Sequence, residues 1–340
     1  MSAPPAAGAG ADHDLQCVDE VFTRMAARGE LDLPLPGSGR TRDRWGSLTR
    51  WAQRDLSLAR LAEGHADAVA ILAELDATAA VGLPADDGRV RWGVWAAEPP
   101  GYALRACRVP GGWRLFGVKP FCSGARVCTH ALVTARDGEL RRLFAVEVAQ
   151  PGVDPVPGSW TGPGMVGSDT LDVNLDGVRA LPVGEPGAYL ERPGFHHGGI
   201  GVAACWYGGA CAVARTLLSA ARKWELDPHA LAHLGAVDAR LSAVDAVLNG
   251  AAAAVDADPL DKDGRARLRT MRVRAAVEDA AADVLVRVGR ALGAAPLGHD
   301  AVHARAVADL TVYLRQHHAE RDLAALGKVA CAGSPDWADT

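Results

Sequence analysis

The local pattern of this chain changes character twice, and that double switch limits the fold more than any other feature. From Leu15 to Thr78 apolar residues recur three and four apart: Val18, Val21, Phe22 and Met25, then, past the loop LDLPLPGSGR, Trp45, Leu48, Trp51, Leu56, Leu58, Leu61, Val69 and Leu72. Such spacing lines one face of a helix. At Arg91 the pattern becomes strand-like. WGVWAAEPP, ALRACRV, GGWRLFGVK, THALVTARDGELRRLFAVEV and LDVNLDGVRAL are short β-rich runs punctuated by Gly-Gly, Asp-Gly and Pro-Gly, the mark of an antiparallel sheet or barrel. After Gly194 the helical pattern returns as far as Lys328. Breaks at Asp227-Pro228, Asp258-Pro259 and GAAPLGHD divide it into four helices, with Asp227 placed to cap and Pro228 in a first turn.

The expected organisation is therefore α+β. A disordered Ala/Pro/Gly tail at 1–14 precedes an N-terminal helical domain at 15–88, a central antiparallel β domain at 89–183 and a C-terminal four-helix bundle at 184–340. A chain of 340 residues, 49% hydrophobic and 23% charged, can bury a large core. Only 5% of residues are aromatic while 38 are Gly, which favours helices packed closely through small residues. The net charge of −5 gives no field for nucleic acid or an anionic membrane. No stretch approaches 18 uninterrupted apolar residues, and the start MSAPPAAGAGADHD lacks signal-peptide features, so a cytoplasmic protein is expected. Seven cysteines with no C-x-x-C pair read as reduced packing thiols, not a disulfide framework or zinc ribbon.

Few short motifs point to chemistry. Gly162 to Gly167 matches G-x-G-x-x-G, but the strand-like LDVNL follows where a dinucleotide site needs a helix. Gly199-Ile200-Gly201-Val202-Ala203-Ala204 opens a helix with no strand before it, so small residues for helix packing account for it. His229/His233 and His299/His303 have a spacing that metal sites use, yet lack the Glu of H-E-x-x-H; solvated histidines are expected and no metal site. No G-x-S-x-G elbow, P-loop or EF-hand pattern is present. In a helix beginning near Asp309, Leu310, Tyr313, Leu314 and His317 share the apolar face, while Thr311, Arg315, His318 and Asp322 share the other. His317 thus faces the interior and His318 water; an interior histidine serves either as a hydrogen-bonded core residue or in catalysis.

Three motifs in order resemble those of the acyl-CoA dehydrogenase family of flavoproteins. Ala96-Ala97-Glu98-Pro99 resembles V-T-E-P, Gly117-Val118-Lys119-Pro120-Phe121-Cys122-Ser123 resembles G-x-K-x-W-I-T, and Gly164-Met165-Val166-Gly167-Ser168-Asp169-Thr170 resembles G-M-x-G-S-D-T. The resemblance covers roughly 18–330 and implies the same order of helical domain, β domain and four-helix bundle. It also implies an FAD held between the β domain and the bundle, with FMN possible. Ala96 and Ala97 would lie along the flavin, Phe121 would pack on its ring system in place of the family's Trp, Ser123 would offer a hydroxyl near the reactive nitrogen, and Cys122 between them joins the cofactor set.

The departures from the family bear on chemistry. The C-terminal pattern R-D-A-x-x-x-x-Y-E-G-T carries the family's catalytic Glu, and a gapless match from Asp309 puts His317 there; Gly198 to Gly201, the alternative position, also lacks a carboxylate. The R-x-x-F-G segment becomes Arg222 to Asp227. The Q-x-x-G-G-x-G turn becomes Arg290 to Pro296, leaving Arg290 as the charge toward a cofactor phosphate. Phe195, His196 and Tyr313 are candidate substrate contacts. The resemblance implies a flavin oxidoreductase with His317 as the proton-transfer group on a specialised small molecule or acyl thioester, assembled as a homodimer or homotetramer. A monooxygenase using reduced flavin and oxygen on the same fold, and an inactive scaffold or binding protein, are the alternatives.

Overall fold

The computed structural model describes residues 8–82 and 88–332. The chain forms two compact units, one from 1–33 and 57–195 and the other from 34–56 and 196–340. The expected boundaries follow secondary-structure type, whereas packing groups the N-terminal helices differently.

The first unit is built on a barrel. Its strands are β1 (Trp92–Trp95), β2 (Arg105–Val109), β3 (Gly112–Cys122), β4 (His130–Asp137), β5 (Leu140–Glu147), β6 (Val153–Pro155) and β7 (Leu171–Val183). β2, β3, β7, β5 and β4 pair in a closed ring, because β4 meets both β5 and β2, while β6 adds to β7. The five β-rich runs of the sequence are all strands, but the domain is not purely antiparallel: β1 and β2 both run parallel to β4. They lie in succession along one edge of β4, meeting it at 130–133 and at Arg136. The chain between them contains Pro99-Pro100, which lacks the N–H groups a continuous ladder needs. Trp95, Leu115, Val133, Phe144, Val173 and Val178 fill the interior.

Helix α1 (Gly8–Ala27) begins inside the segment expected to be a disordered tail. The alanines at 9 and 11 are strong helix formers; residues 1–7 lie outside the described residues. Val18, Phe22 and Met25 are its buried face. α3 (Leu56–Glu74) packs Ala68, Ile71 and Leu72 on the outer face of the barrel against Trp92, Leu132, Leu143 and Val183. His65 of α3 accepts the Trp92 N–H at Nδ1 over 3.1 Å, joining helix to strand. The short α4 (Thr78–Val81) and α5 (Ala188–Glu191) complete this unit.

The second unit contains α2 (Thr41–Arg54), three long helices α6 (Pro193–Lys223), α7 (Pro228–Ala257) and α8 (Ala266–Leu292), and the shorter α9 (Ala295–His299), α10 (Ala301–Tyr313) and α11 (Glu320–Ala332). The three predicted breaks separate α6, α7, α8 and α10, while α11 is a further helix that the expected count of four did not include. Asp227 caps α7 through the N–H groups of His229 and Ala230, with Pro228 in the first turn. The α2 start has no cap of its own; Asp256 of α7 supplies one, accepting from Gly39 N, Thr41 N and the Thr41 hydroxyl at 3.0, 3.1 and 2.6 Å. Gly208 of α6 lies so close to α2 that a Cβ would stand 2.4 Å from Thr49 O and 2.7 Å from Ala52 Cβ. α6 is long and apolar enough to cross a membrane, yet 67% of that stretch is buried in the protein, which marks a core helix. Of the paired histidines, His229 and His299 are exposed, but His303 is buried and shares a hydrogen bond with Thr216 Oγ1 at 2.9 Å. It was expected in water; the inward turn of α10 places it against α6.

Candidate functional site

The first cluster lies where β3 ends. Its ladder with β7 is broken between Lys119 and Cys122, and in that bulge Phe121 takes φ +57°, which costs a side-chain-bearing residue about 1–2 kcal/mol. Its N–H donates to Asp172 Oδ1 over 3.2 Å, yet its ring is 52% exposed. Folding gains little from an exposed aromatic held in a strained conformation, so the arrangement fits a platform for a planar ligand. The next residue turns the other way. Cys122 is fully buried in the barrel core and burial pushes its thiol well up, so its side chain belongs to the core and not to a cofactor surface.

Ser123 is half-buried. Its carbonyl accepts the Trp95 indole N–H over 2.9 Å, drawing the end of β1, and hence the half-buried Ala96 and Ala97, to the end of β3. Its hydroxyl accepts from Arg60 Nε at 3.3 Å and lies 2.9 Å from Thr170 Oγ1, which lies 2.8 Å from Ser168 Oγ. Arg60 is paired with Glu63 on α3. The G-M-x-G-S-D-T turn is held to this loop by Gly124 N–H to Ser168 O (2.8 Å) and Ala125 N–H to Asp169 O (3.0 Å), and Asp169 accepts from Arg126 N and Nε. Arg60 carries no motif in the sequence; its only local signal is a charge three residues before Glu63 on the largely apolar helix LARLAEGHADAVAIL.

Below this loop Lys119 is buried, donating to Thr134 O and Oγ1 at 2.7 and 2.8 Å, with Glu98 Oε1 at 3.8 Å. Burial brings the ammonium down to about 8 even though Glu98 opposes the shift. Burial raises the Glu98 carboxyl, but Lys119, Thr134 and Arg141 outweigh it and leave the group below its ordinary value. Phe195, at the start of α6, is half-buried and stands edge-on to Tyr189 at 5.5 Å.

The second cluster belongs to the helical unit. α10 stops at Tyr313, a single 3₁₀ turn covers 314–316, and His317 has an extended backbone (φ −89°, ψ 128°). The expected helix through His317 is thus not formed, but the predicted burial holds: His317 is 4% exposed, with Leu310, Tyr313 and Leu314 buried beside it. Trp206 of α6 stands edge-on to both Tyr313 and His317 at 6.4 Å. Arg274 of α8 covers Trp206 at 4.5 Å and donates to Gly199 O and Gln316 O, both at 2.9 Å, fixing the turn.

Two carboxylates flank the imidazole, Glu278 Oε2 at 3.9 Å from Nδ1 and Asp322 Oδ2 at 4.0 Å from Nε2. Burial lowers the His317 pKa below its ordinary 6.5, and Asp322 and Glu278 only partly restore it. The ring is neutral at pH 7 and able to take a proton. His318 is exposed and pairs with Asp322 at 3.4 Å. His196 is half-buried, its carbonyl accepting from Thr270 Oγ1 at 2.9 Å. Arg290 is exposed in the last turn of α8. Among the described residues no group of three His, Cys, Asp or Glu side chains is gathered as a metal site, and the described cysteines are all free.

No protein-family profile and no curated protein sequence matches the chain. Solved structures do. KijD3 in complex with FMN and dTDP-3-amino-2,3,6-trideoxy-4-keto-3-methyl-D-glucose has a TM-score of 0.78 at 20% identity, over 98% of this chain and 96% of that one. A nitrososynthase from Micromonospora carbonacea var. africana has a TM-score of 0.74 at 21% identity, over 98% of each chain. The dibenzothiophene monooxygenase TdsC from Paenibacillus sp. A11-2 has 0.72 at 18%, over 94% and 96%. At these identities the likeness is one of fold, which this chain shares with KijD3, the nitrososynthase and TdsC.

Proposed function

We propose that this protein is a flavin-dependent monooxygenase acting on a specialised small molecule. The observation that carries the reading is Phe121, an exposed ring held in a strained bulge two residues before Ser123. The exposed Phe121 ring and the half-buried Ser123 hydroxyl are groups that fit the face and the polar edge of a flavin. FMN in a complex of KijD3 and of TdsC supports a flavin here, and the names nitrososynthase and monooxygenase support oxygen chemistry. The cofactor is FAD or FMN, with Arg290 as the charge available to a phosphate.

When bound, the flavin supplies two electrons and, once reduced, a centre that reacts with dioxygen. The chain supplies the rest. Phe121 would stack on the ring system and Ser123 would meet its polar edge, while His317, neutral at pH 7, would be the group that takes a proton from the substrate at a ring nitrogen. Asp322 and Glu278 then stabilise the imidazolium. Their closeness favours one second reading, removal of a substrate C–H proton in a dehydrogenation, where His317 replaces the family's carboxylate.

Two mixing experiments separate these. Under the monooxygenase reading, protein with reduced FMN and air transfers labelled oxygen from ¹⁸O₂ to substrate, and anaerobic addition of straight-chain acyl-CoA leaves oxidised flavin unbleached. Rapid anaerobic bleaching would establish dehydrogenation. Failure to bind flavin at high micromolar concentration would leave the scaffold alternative. The same reading takes the protein as cytoplasmic and as a homodimer or homotetramer, which light scattering of the flavin-loaded form tests.

A further inference from the structure

The hydroxyls beside Phe121 form a chain whose direction is fixed by counting protons. Ser168 Oγ donates to Met165 O over 2.7 Å, and a carbonyl can only accept, so the single Ser168 proton is committed there. The proton in the 2.8 Å contact between Ser168 Oγ and Thr170 Oγ1 therefore belongs to Thr170. With that proton used, the 2.9 Å contact between Thr170 Oγ1 and Ser123 Oγ is filled by the proton of Ser123. Arg60 Nε donates to Ser123 Oγ over 3.3 Å, and a guanidinium has no acceptor. The chain runs one way, from Arg60 through Ser123, Thr170 and Ser168 to the Met165 carbonyl. A serine hydroxyl has one proton and two lone pairs; here the proton and one lone pair are engaged. What Ser123 has left is a lone pair.

We infer that Thr170, oriented by Ser168, makes Ser123 a hydrogen-bond acceptor toward the flavin and so makes the site selective for the reduced cofactor. This rests on the flavin reading above. It reverses the donor role expected for Ser123 from the family resemblance. The reactive ring nitrogen carries a proton in reduced flavin and only a lone pair in oxidised flavin, so an acceptor suits the first and opposes the second. To donate to oxidised flavin, Ser123 would have to withdraw its proton from Thr170, leaving two oxygens facing each other with nothing between. Because Glu63 pairs with Arg60, the guanidinium charge is largely balanced, and the direction of the hydroxyl chain decides the preference. Trp95 holds the Ser123 carbonyl and Gly124 holds that of Ser168, so the chain is pinned at both ends. Thr170 is a positioning residue: it acts through Ser123.

The test measures dissociation constants of oxidised FMN, by fluorescence, and of dithionite-reduced FMN, by anaerobic ultrafiltration. Wild type should bind the reduced form about tenfold more tightly, the value of one net hydrogen bond, which for a two-electron couple raises the bound midpoint potential by about 30 mV. Thr170→Val removes the acceptor and frees the Ser123 proton, so the preference should fall to parity or reverse; Thr170→Ser restores the acceptor and should keep it. If Thr170→Val does not fold, Ser168→Ala frees the Thr170 proton to point back at Ser123 and should abolish the preference in the same way. Wild type that binds oxidised FMN as tightly as reduced, or a valine variant with unchanged preference, overturns the inference while leaving the flavin reading intact. Protein that binds neither form overturns the flavin reading and the inference with it.

Discussion

Acidification should unfasten α3 from the barrel through one side chain. His65 is 5% exposed and its Nδ1 accepts the Trp92 N–H at 3.1 Å, a bond available only to the unprotonated ring. Burial, helped by the Arg91 charge, lowers its pKa from 6.5 to about 4. Between those values the unfolded chain binds a proton that the folded chain refuses, so stability is full above pH 6.5 and is lost as pH falls. The loss runs at about 1.4 kcal/mol per pH unit and reaches about 2 kcal/mol by pH 4.5. His65→Asn places a carbonyl oxygen near the same acceptor position and does not titrate. Urea denaturation of both proteins at pH 7 and 4.5, followed by tryptophan fluorescence, isolates this residue from other acid-sensitive groups. The wild type should lose about 2 kcal/mol more than the variant over that interval. Equal losses would refute the assignment.

Other outcomes follow from residues already described. His317→Gln should lower turnover about 10²- to 10⁴-fold with flavin affinity nearly unchanged, while His318→Gln, on the exposed side, should behave as wild type; full turnover in the first variant would end the catalytic role. Because the His317 pKa is lowered by burial and the neutral ring is the active form, turnover should hold constant above pH 6.5 and fall as pH drops below it, measured as a pH–rate profile. Phe121→Gly should relieve the left-handed strain and leave the melting temperature equal or higher, yet weaken flavin binding at least tenfold by titration. Gly208→Ala, which forces a Cβ to 2.4 Å from the Thr49 carbonyl, should cost about 1–3 kcal/mol by denaturant titration.

The positions that sequence reading reached most securely are those governed by local rules. Asp227-Pro228 signals a helix start wherever it sits, and it caps α7 here as expected. The five β-rich runs carry their own turns; four are single strands and the fourth in sequence folds as the β4–β5 hairpin. What stayed hidden depends on partners far along the chain. The parallel placement of β1 and β2 on β4 is invisible until β4 is in place, and the α2 cap comes from Asp256, 215 residues away from Thr41. His317 shows both sides of this. Its apolar periodicity with Leu310 and Tyr313 foretold burial, but the helix ends at Tyr313 because Arg274 takes the Gln316 carbonyl. Phe121 and Ser123 were legible through their motif, whereas Arg60, on a distant helix, was not, so the direction of the hydroxyl chain had no sequence signature.

The interleaving of the two compact units bears on how a ribosome must deliver them. Residues 34–56 belong with 196–340, while the segments on either side of them belong with the barrel. α2 therefore emerges early, its Trp45 and Leu48 face apolar, and has nothing to bury that face against until α6 and α7 have been made. At about 5–20 residues per second, the interval between Arg54 and Asp256 amounts to roughly 10–40 s of exposure. During that time the barrel, whose last strand ends at Val183, can close on its own while α2 still lacks its partners. Slower translation between β7 and α7 prolongs the vulnerable period, and a chaperone that holds one short amphipathic helix is the assistance this order of synthesis calls for.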